Sequence, residues 1–150
     1  MCITNENDIF AYFDVINDIC PASVIDVGMF LKRIGGVSRQ ARGVEISRDI
    51  KLDGIDIFPD INPKVFNVIY DEIYDMSLLE TSNKYDLMIM LRTDSFIAGR
   101  EAEKIWNWAK QNVKYVFTSC EAEYELEELK KKGKVRDIRL ENELYAVVIF

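Results

Sequence analysis

Two short stretches hold residue types whose spacing can do chemistry. VIDVG at Val24–Gly28 is an apolar, β-branched run closing on Asp-x-Gly, with Asp26 and Gly28 as its polar end. KLDGIDIFPDINP at Lys51–Pro63 is a second apolar run, ending in the carboxylate of Asp56 just before two prolines. If both runs are strands of one α/β sheet, their carboxyl ends lie side by side. A glycine turn there lets a ligand's charged end approach bare backbone, while a carboxylate accepts both hydroxyls of a ribose. The pattern implies a nucleoside-bearing ligand and leaves its substrate unnamed. Plainer readings stand beside it: Asp56 can tighten the turn at Phe58–Asp60, and Asp26 can form an Asx turn ahead of Gly28.

Other candidates follow from their positions after apolar runs. Arg92, Thr93 and Asp94 come directly after YDLMIML at Tyr85–Leu91. Asp94 has the chemistry of a general base and Arg92 that of an anion clamp. The plainer reading, that Asp94 or Ser95 caps the next helix, is the favoured one. Asp71 and Asp75 are four apart in IYDEIYDM, so only one of them is expected to face a pocket. Lys32 and Arg33 can pair with a ligand carboxylate or simply be solvated.

Absences narrow the chemistry further. The chain has no histidine, which removes the usual general base, the usual zinc ligand and any Ser-His or Cys-His pair. Cys2, Cys20 and Cys120 are odd in number and far apart, so neither a disulfide framework nor a metal site is expected, and a reducing cytoplasm is the default compartment. A net charge of −7 disfavours polyphosphate partners. The one dense basic run, Lys130–Lys134, falls where a helix should end and complements its dipole, the alternative being a nucleic-acid patch. No leader and no membrane-spanning run is evident, so a membrane partner is not expected.

The elements that must position these residues can be read from periodicity. Ile9, Phe13, Ile16 and Cys20 share a helix face after Asn5, and Pro21 stops that helix. Strands are expected at Val24–Val27, Leu52–Ile57, Val65–Tyr70, Tyr85–Leu91 and Val113–Phe117. The segment Met29–Ile50 reads as loop, a short helix from near Ser38, and an irregular return. Ala98, Ala102, Ile105 and Ala109 mark a crossover helix. Trp106 and Trp108, two apart, cannot share one helix face, so one belongs to the core and the other to the surface. Thr118 with Glu121 suggests a capping box for a helix over Glu121–Lys132, closed by Gly133. Val135–Leu140 and Leu144–Phe150 form a terminal hairpin. No repeat or linker divides residues 1–150, so a single domain is expected.

Strands alternating with helices and then a hairpin describe a mostly parallel sheet with one antiparallel edge pair. In that order the chain resembles the class I S-adenosylmethionine-dependent methyltransferase family over Val24–Phe150. VIDVG resembles the V-L-D-x-G strand end that opens the family's cofactor loop. GIDIFPD resembles its G-x-D-x-S-P strand end, with Asp56 as the ribose-binding acid. YDLMIM resembles the fourth strand, F-D-L-I-x, and LYAVVIF the last, antiparallel one. The resemblance implies a Rossmann-like three-layer sandwich with a seven-stranded, mostly parallel sheet and a C-terminal antiparallel hairpin. It also implies S-adenosylmethionine held by Asp26, Gly28, Asp56 and either Asp71 or Asp75, with Arg92 and Asp94 near the transferred methyl group.

The departures define the rival reading. Gly28 is followed by Met29-Phe30-Leu31-Lys32-Arg33-Ile34 before Gly35-Gly36, where the family has G-x-G-x-G. LRTDSF replaces the N-P-P-Y motif, so a base- or amine-methylating site of that type is not expected. A methyltransferase of unknown acceptor, acting on a small molecule, therefore stands against a non-catalytic scaffold of the same fold. A bare core of this size would draw acceptor specificity from dimerisation or a partner subunit. A nicotinamide-binding domain, a third reading, would want G-x-G-x-x-G after the first strand.

Overall fold

The first helix shows how the pattern becomes structure. Apolar residues three and four apart line one side of α1 (Glu6–Ile19), burying Ile9, Tyr12 and Val15, while Glu6 and Asp8 meet the positive end of its dipole. The computed structural model describes residues 6–28, 40–41, 44–45, 50–55, 70–91 and 99–150. After α1 come β1 (Ser23–Val27), the two-residue strands β2 (Gln40–Ala41) and β3 (Val44–Glu45), β4 (Lys51–Ile55) and β5 (Glu72–Tyr74). A 3-10 helix (Met76–Glu80), β6 (Tyr85–Met90), α2 (Gly99–Asn112) and β7 (Val113–Cys120) follow. The chain closes with α3 (Glu123–Lys130), β8 (Lys134–Leu140) and β9 (Glu143–Ile149).

Among the described residues, seven strands form one sheet in the order β5-β4-β1-β6-β7-β9-β8, while β2 and β3 make a separate antiparallel pair. The first five strands of that order are parallel, and β9 then pairs antiparallel with both β7 and β8. This is the expected α/β sandwich, with α1 over one face and α2 and α3 over the other. β1 is apolar on both sides because both are covered: Val24 joins the α1-side core with Tyr12, Val15 and Leu52, and Ile25 and Val27 join Ile105, Trp108 and Leu126.

The strand beside β4 is Glu72–Tyr74; the strand expected at Val65–Tyr70 falls largely on 65–69, which lie outside the described residues. Two local expectations need correction. Thr118 caps no helix: β7 runs on to Cys120, and the Thr118 hydroxyl donates to the carbonyl of Met90 at 2.9 Å. α3 begins at Glu123 instead, behind Ala122, which makes no side-chain cap; the Glu125 carboxylate accepts the Glu121 N–H at 2.7 Å. Cross-strand pairing with β9 outweighs the local capping signal. Gly133 does follow α3, but without positive φ. It is small because β9 passes against it: a Cβ there would lie 2.6 Å from the Ile149 carbonyl oxygen.

Other expectations hold. Trp108 is core, its indole N–H donating to Thr81 O at 2.9 Å, and Trp106 is partly exposed. Of the basic run, Lys130 and Lys131 pair with Glu127 and Glu128 one helical turn back.

Gly133→Ala should destabilise the fold by about 1–3 kcal/mol, since a backbone carbonyl cannot swing aside as a flexible side chain would. Chemical denaturation would measure it. At the start of β6, the Asp86 carboxylate accepts the Ala22 N–H at 2.8 Å and faces Lys114. That hydrogen bond, then the Lys114 ammonium, holds its pKa below the usual carboxylate value against some desolvation. A lowered native pKa adds stability that is complete above the unfolded-state pKa and is lost as pH falls through the lowered one. Asp86→Ala should therefore cost about 1 kcal/mol near pH 7. Urea titrations at falling pH should show the difference from the parent closing at about pH 4 and below.

Candidate functional site

β1 lies between β4 and β6, so the chain leaves β1 toward one edge of the sheet and returns on its other side. Ligands of open α/β sheets settle at such a reversal, over the carboxyl ends of the strands. The first residue beyond β1 is Gly28, at φ 83°, a left-handed conformation that side chains resist. Its N–H donates to Ile55 O at 3.0 Å, carrying the pairing of β1 with β4 up to the rim. The sequence places Asp56 directly after Ile55, but Asp56 lies outside the described residues, as do Met29, Phe30, Lys32, Arg33, Arg92 and Asp94.

Asp26 sits one step inside the rim, level with Gly54 of β4 and Ile89 of β6. Its carboxylate has no solvent exposure and accepts the Tyr70 hydroxyl at 2.7 Å. The residue thus braces the strand end from beneath, tying β1 to the backbone that enters β5. Asp71 and Asp75 separate sharply. Asp71 stands at the amino end of β5, where its N–H donates to Leu52 O at 2.7 Å and its carboxylate accepts the Leu52 N–H at 2.9 Å. It clamps the start of β4, level with Val24 at the opposite end of β1 from Gly28. Asp75 follows β5 directly, on the same rim as Gly28. Its carboxylate accepts the Ser77 N–H at 2.8 Å, opening the 3-10 helix, and the Ser77 hydroxyl, then this N–H, hold its pKa below the usual value.

The 3-10 helix and α2 flank an open groove of about 1060 Å3 that begins at Asp75. Met76 and Leu79 form one wall, Lys104 and Gln111 the other, with Trp108 between them. The groove runs away from the rim along the α2 face, so only its Asp75 end belongs with Gly28. Among the described residues no group of three or more acids, cysteines or histidines is arranged to hold a metal. No described helix is long and apolar enough to cross a membrane.

Sequence reading missed the tyrosines that answer buried carboxylates. Besides Tyr70 with Asp26, the Tyr145 hydroxyl of β9 donates to Asp8 of α1, and that of Tyr85 donates to Asp53 at 2.6 Å. Burial, and then the Asp53 carboxylate, push the Tyr85 hydroxyl pKa upward, so it stays a donor. The signal was present: an aspartate inside an apolar run must find a buried donor.

No family model matches the chain. No curated protein matches it by sequence. Solved structures do match. The methyltransferase domain of bacterial CtHen1-CN superposes with a TM-score of 0.67 at 11% identity, covering 97% of this chain and all (100%) of that one. A methyltransferase from Geobacter sulfurreducens gives a TM-score of 0.65 at 12% identity, over 100% of this chain and 81% of that chain. Magnesium protoporphyrin IX methyltransferase from Synechocystis PCC 6803, solved with bound S-adenosylmethionine, gives 0.56 at 14% identity, covering 96% and 77%. Likeness at such low identity speaks for architecture: the chain has the class I S-adenosylmethionine-dependent methyltransferase fold.

Proposed function

We propose that the chain binds S-adenosylmethionine over the carboxyl ends of β1, β4 and β5 and transfers its methyl group to a small-molecule acceptor. The observation that carries this reading is Gly28: a positive-φ glycine at the strand-order reversal, hydrogen-bonded to the residue that precedes Asp56. The donor set suits the cofactor. Gly28 leaves room for its charged methionine end, Asp56 is the acid for the ribose hydroxyls, and Asp75 replaces Asp71 as the carboxylate for the adenine amino group. Asp26 acts indirectly, through the Tyr70 hydrogen bond that steadies the turn.

Bound there, the cofactor supplies an electrophilic methyl group on a sulfonium. The protein's task is chiefly alignment, because in-line displacement gains most from holding the reacting atoms close. A chain without histidine can perform it. Arg92 and Asp94, following β6, are the proposed acceptor-side groups: Arg92 to hold an anionic acceptor, Asp94 to take the proton that the nucleophile releases.

Titration calorimetry with S-adenosylmethionine and S-adenosylhomocysteine tests this. Micromolar binding is expected, weakened at least about tenfold, or about 1.4 kcal/mol, in Asp56→Ala and in Asp75→Ala, and unchanged in Glu72→Ala. Absence of heat and of thermal shift at about 1 mM ligand would instead support a non-catalytic scaffold. That rival draws on the Met29-Phe30 sequence after Gly28, where the family is glycine-rich. Micromolar binding of a nicotinamide nucleotide alone would support a dinucleotide-binding domain.

A further inference from the structure

The 3-10 helix that Asp75 opens is too short to hold its own place. It spans the five residues Met76–Glu80, and a single turn of i→i+3 bonds is not stable alone. Attachments to the core and to α2 fix it instead. Leu78 is buried in the same apolar cluster as Ile55, Tyr85 and Trp108. At the far end of the turn, the Trp108 indole N–H of α2 donates to the Thr81 carbonyl at 2.9 Å. The Thr81 N–H and hydroxyl both donate to Leu78 O, at 3.0 and 2.7 Å, closing the turn onto that anchor.

Trp108 is itself held in place. Its ring packs on that of Tyr85, with centroids 6.2 Å apart, and its carbonyl accepts the Asn112 side-chain N–H at 2.9 Å. Tyr85 is tied to Asp53 of β4. Just past the turn, the Lys84 ammonium donates to Gln111 O at 2.8 Å and to Asn112 Oδ1 at 2.9 Å, a second strap to the end of α2. At its near end the same turn aims a carboxylate. The Ser77 N–H donates to Oδ1 of Asp75, and the Ser77 hydroxyl donates to the same carboxylate. Ser77 therefore orients Asp75 on the rim, and Leu78, Thr81 and Trp108 place Ser77.

We propose that Trp108 and Thr81 are positioning residues for recognition of the cofactor's base: through them α2 places the 3-10 helix, and the helix presents the Asp75 carboxylate to the adenine amino group. The inference rests on the reading above, in which Asp75 meets that amino group. It adds that base selectivity is set from α2, at the far end of the turn from the rim. An amino group donates to a carboxylate, whereas the carbonyl oxygen that hypoxanthine carries in its place cannot. A carboxylate fixed in position tells the two apart. One on a loosened turn moves aside and discriminates less.

Calorimetric titration of the full chain with S-adenosylhomocysteine and with its hypoxanthine counterpart, S-inosylhomocysteine, tests this. The parent should prefer the adenine ligand by about tenfold or more. Trp108→Phe keeps a ring in the core without the N–H, and Thr81→Val keeps the shape without the hydroxyl's bond to Leu78 O. Each should cut the preference at least about threefold, whereas general loosening of the fold would weaken both ligands alike. Asn107→Ala, on the α2 wall of the groove, should leave the preference unchanged. In an Asp75→Ala background Trp108→Phe should no longer move it, because the indole acts through that carboxylate. Thr81 is exposed, so its variant reads the link even if Trp108→Phe does not fold. A parent that binds neither ligand overturns the cofactor reading and this inference with it. A parent that binds both ligands equally keeps the cofactor and overturns the inference alone. So do folded variants that retain the parent's preference, or an effect of Trp108→Phe that persists without Asp75.

Discussion

The position of β1 inside the sheet, between β4 and β6, is the constraint on which the rest of the structure depends. It is parallel to β4 on one side and β6 on the other, and it is buried on both faces. Parallel strands require crossovers, and the strand order carries the chain from β1 out through β4 to β5 before it returns to β6. Open α/β sheets take their ligands in the crevice above such a reversal. Gly28 stands at that crevice because it follows the strand from which the two halves diverge. Strand order rather than any catalytic side chain therefore decides where a ligand can sit.

A sheet buried on both faces has little tolerance for charge, yet it holds Asp26 and Asp53, and α1 adds Asp8 beneath it. Each carboxylate accepts a tyrosine hydroxyl from a distant part of the chain. Leaving such a buried polar group without its donor costs about 1–3 kcal/mol. These pairs link β1 to the entry of β5, β4 to β6, and α1 to β9. They restrict the register in which the elements can meet, since a slip of one residue would turn the carboxylate to the other face. The Asp26–Tyr70 pair also binds the rim to the architecture beneath it.

The methyltransferase-like order was legible because its signals are local and repeated: YDLMIM is apolar enough to be only a central strand, and Glu141-Asn142 separates two strands that can only fold back. Legibility failed where long-range pairing competes with local preference. Thr118 carries a capping signature, but Thr118–Cys120 pair with Leu144–Ala146 of β9, and the strand runs on. Asp71 and Asp75 look equivalent in IYDEIYDM. Which of them reaches the rim depends on where β5 starts, and that is set by the bonds Asp71 makes to Leu52.

From its sequence alone this protein has its alternation of strands and helices, its antiparallel ending, the lack of histidine that confines its chemistry, and the Asp-x-Gly that closes its first strand. All of these follow from side-chain type and spacing along a few neighbouring residues. Tertiary structure decided the partners of the buried aspartates, the opposite ends of β5 at which Asp71 and Asp75 stand, and the steric need for Gly133. Each of those depends on contacts between residues far apart in the chain, and only the packing of the sheet brings them together.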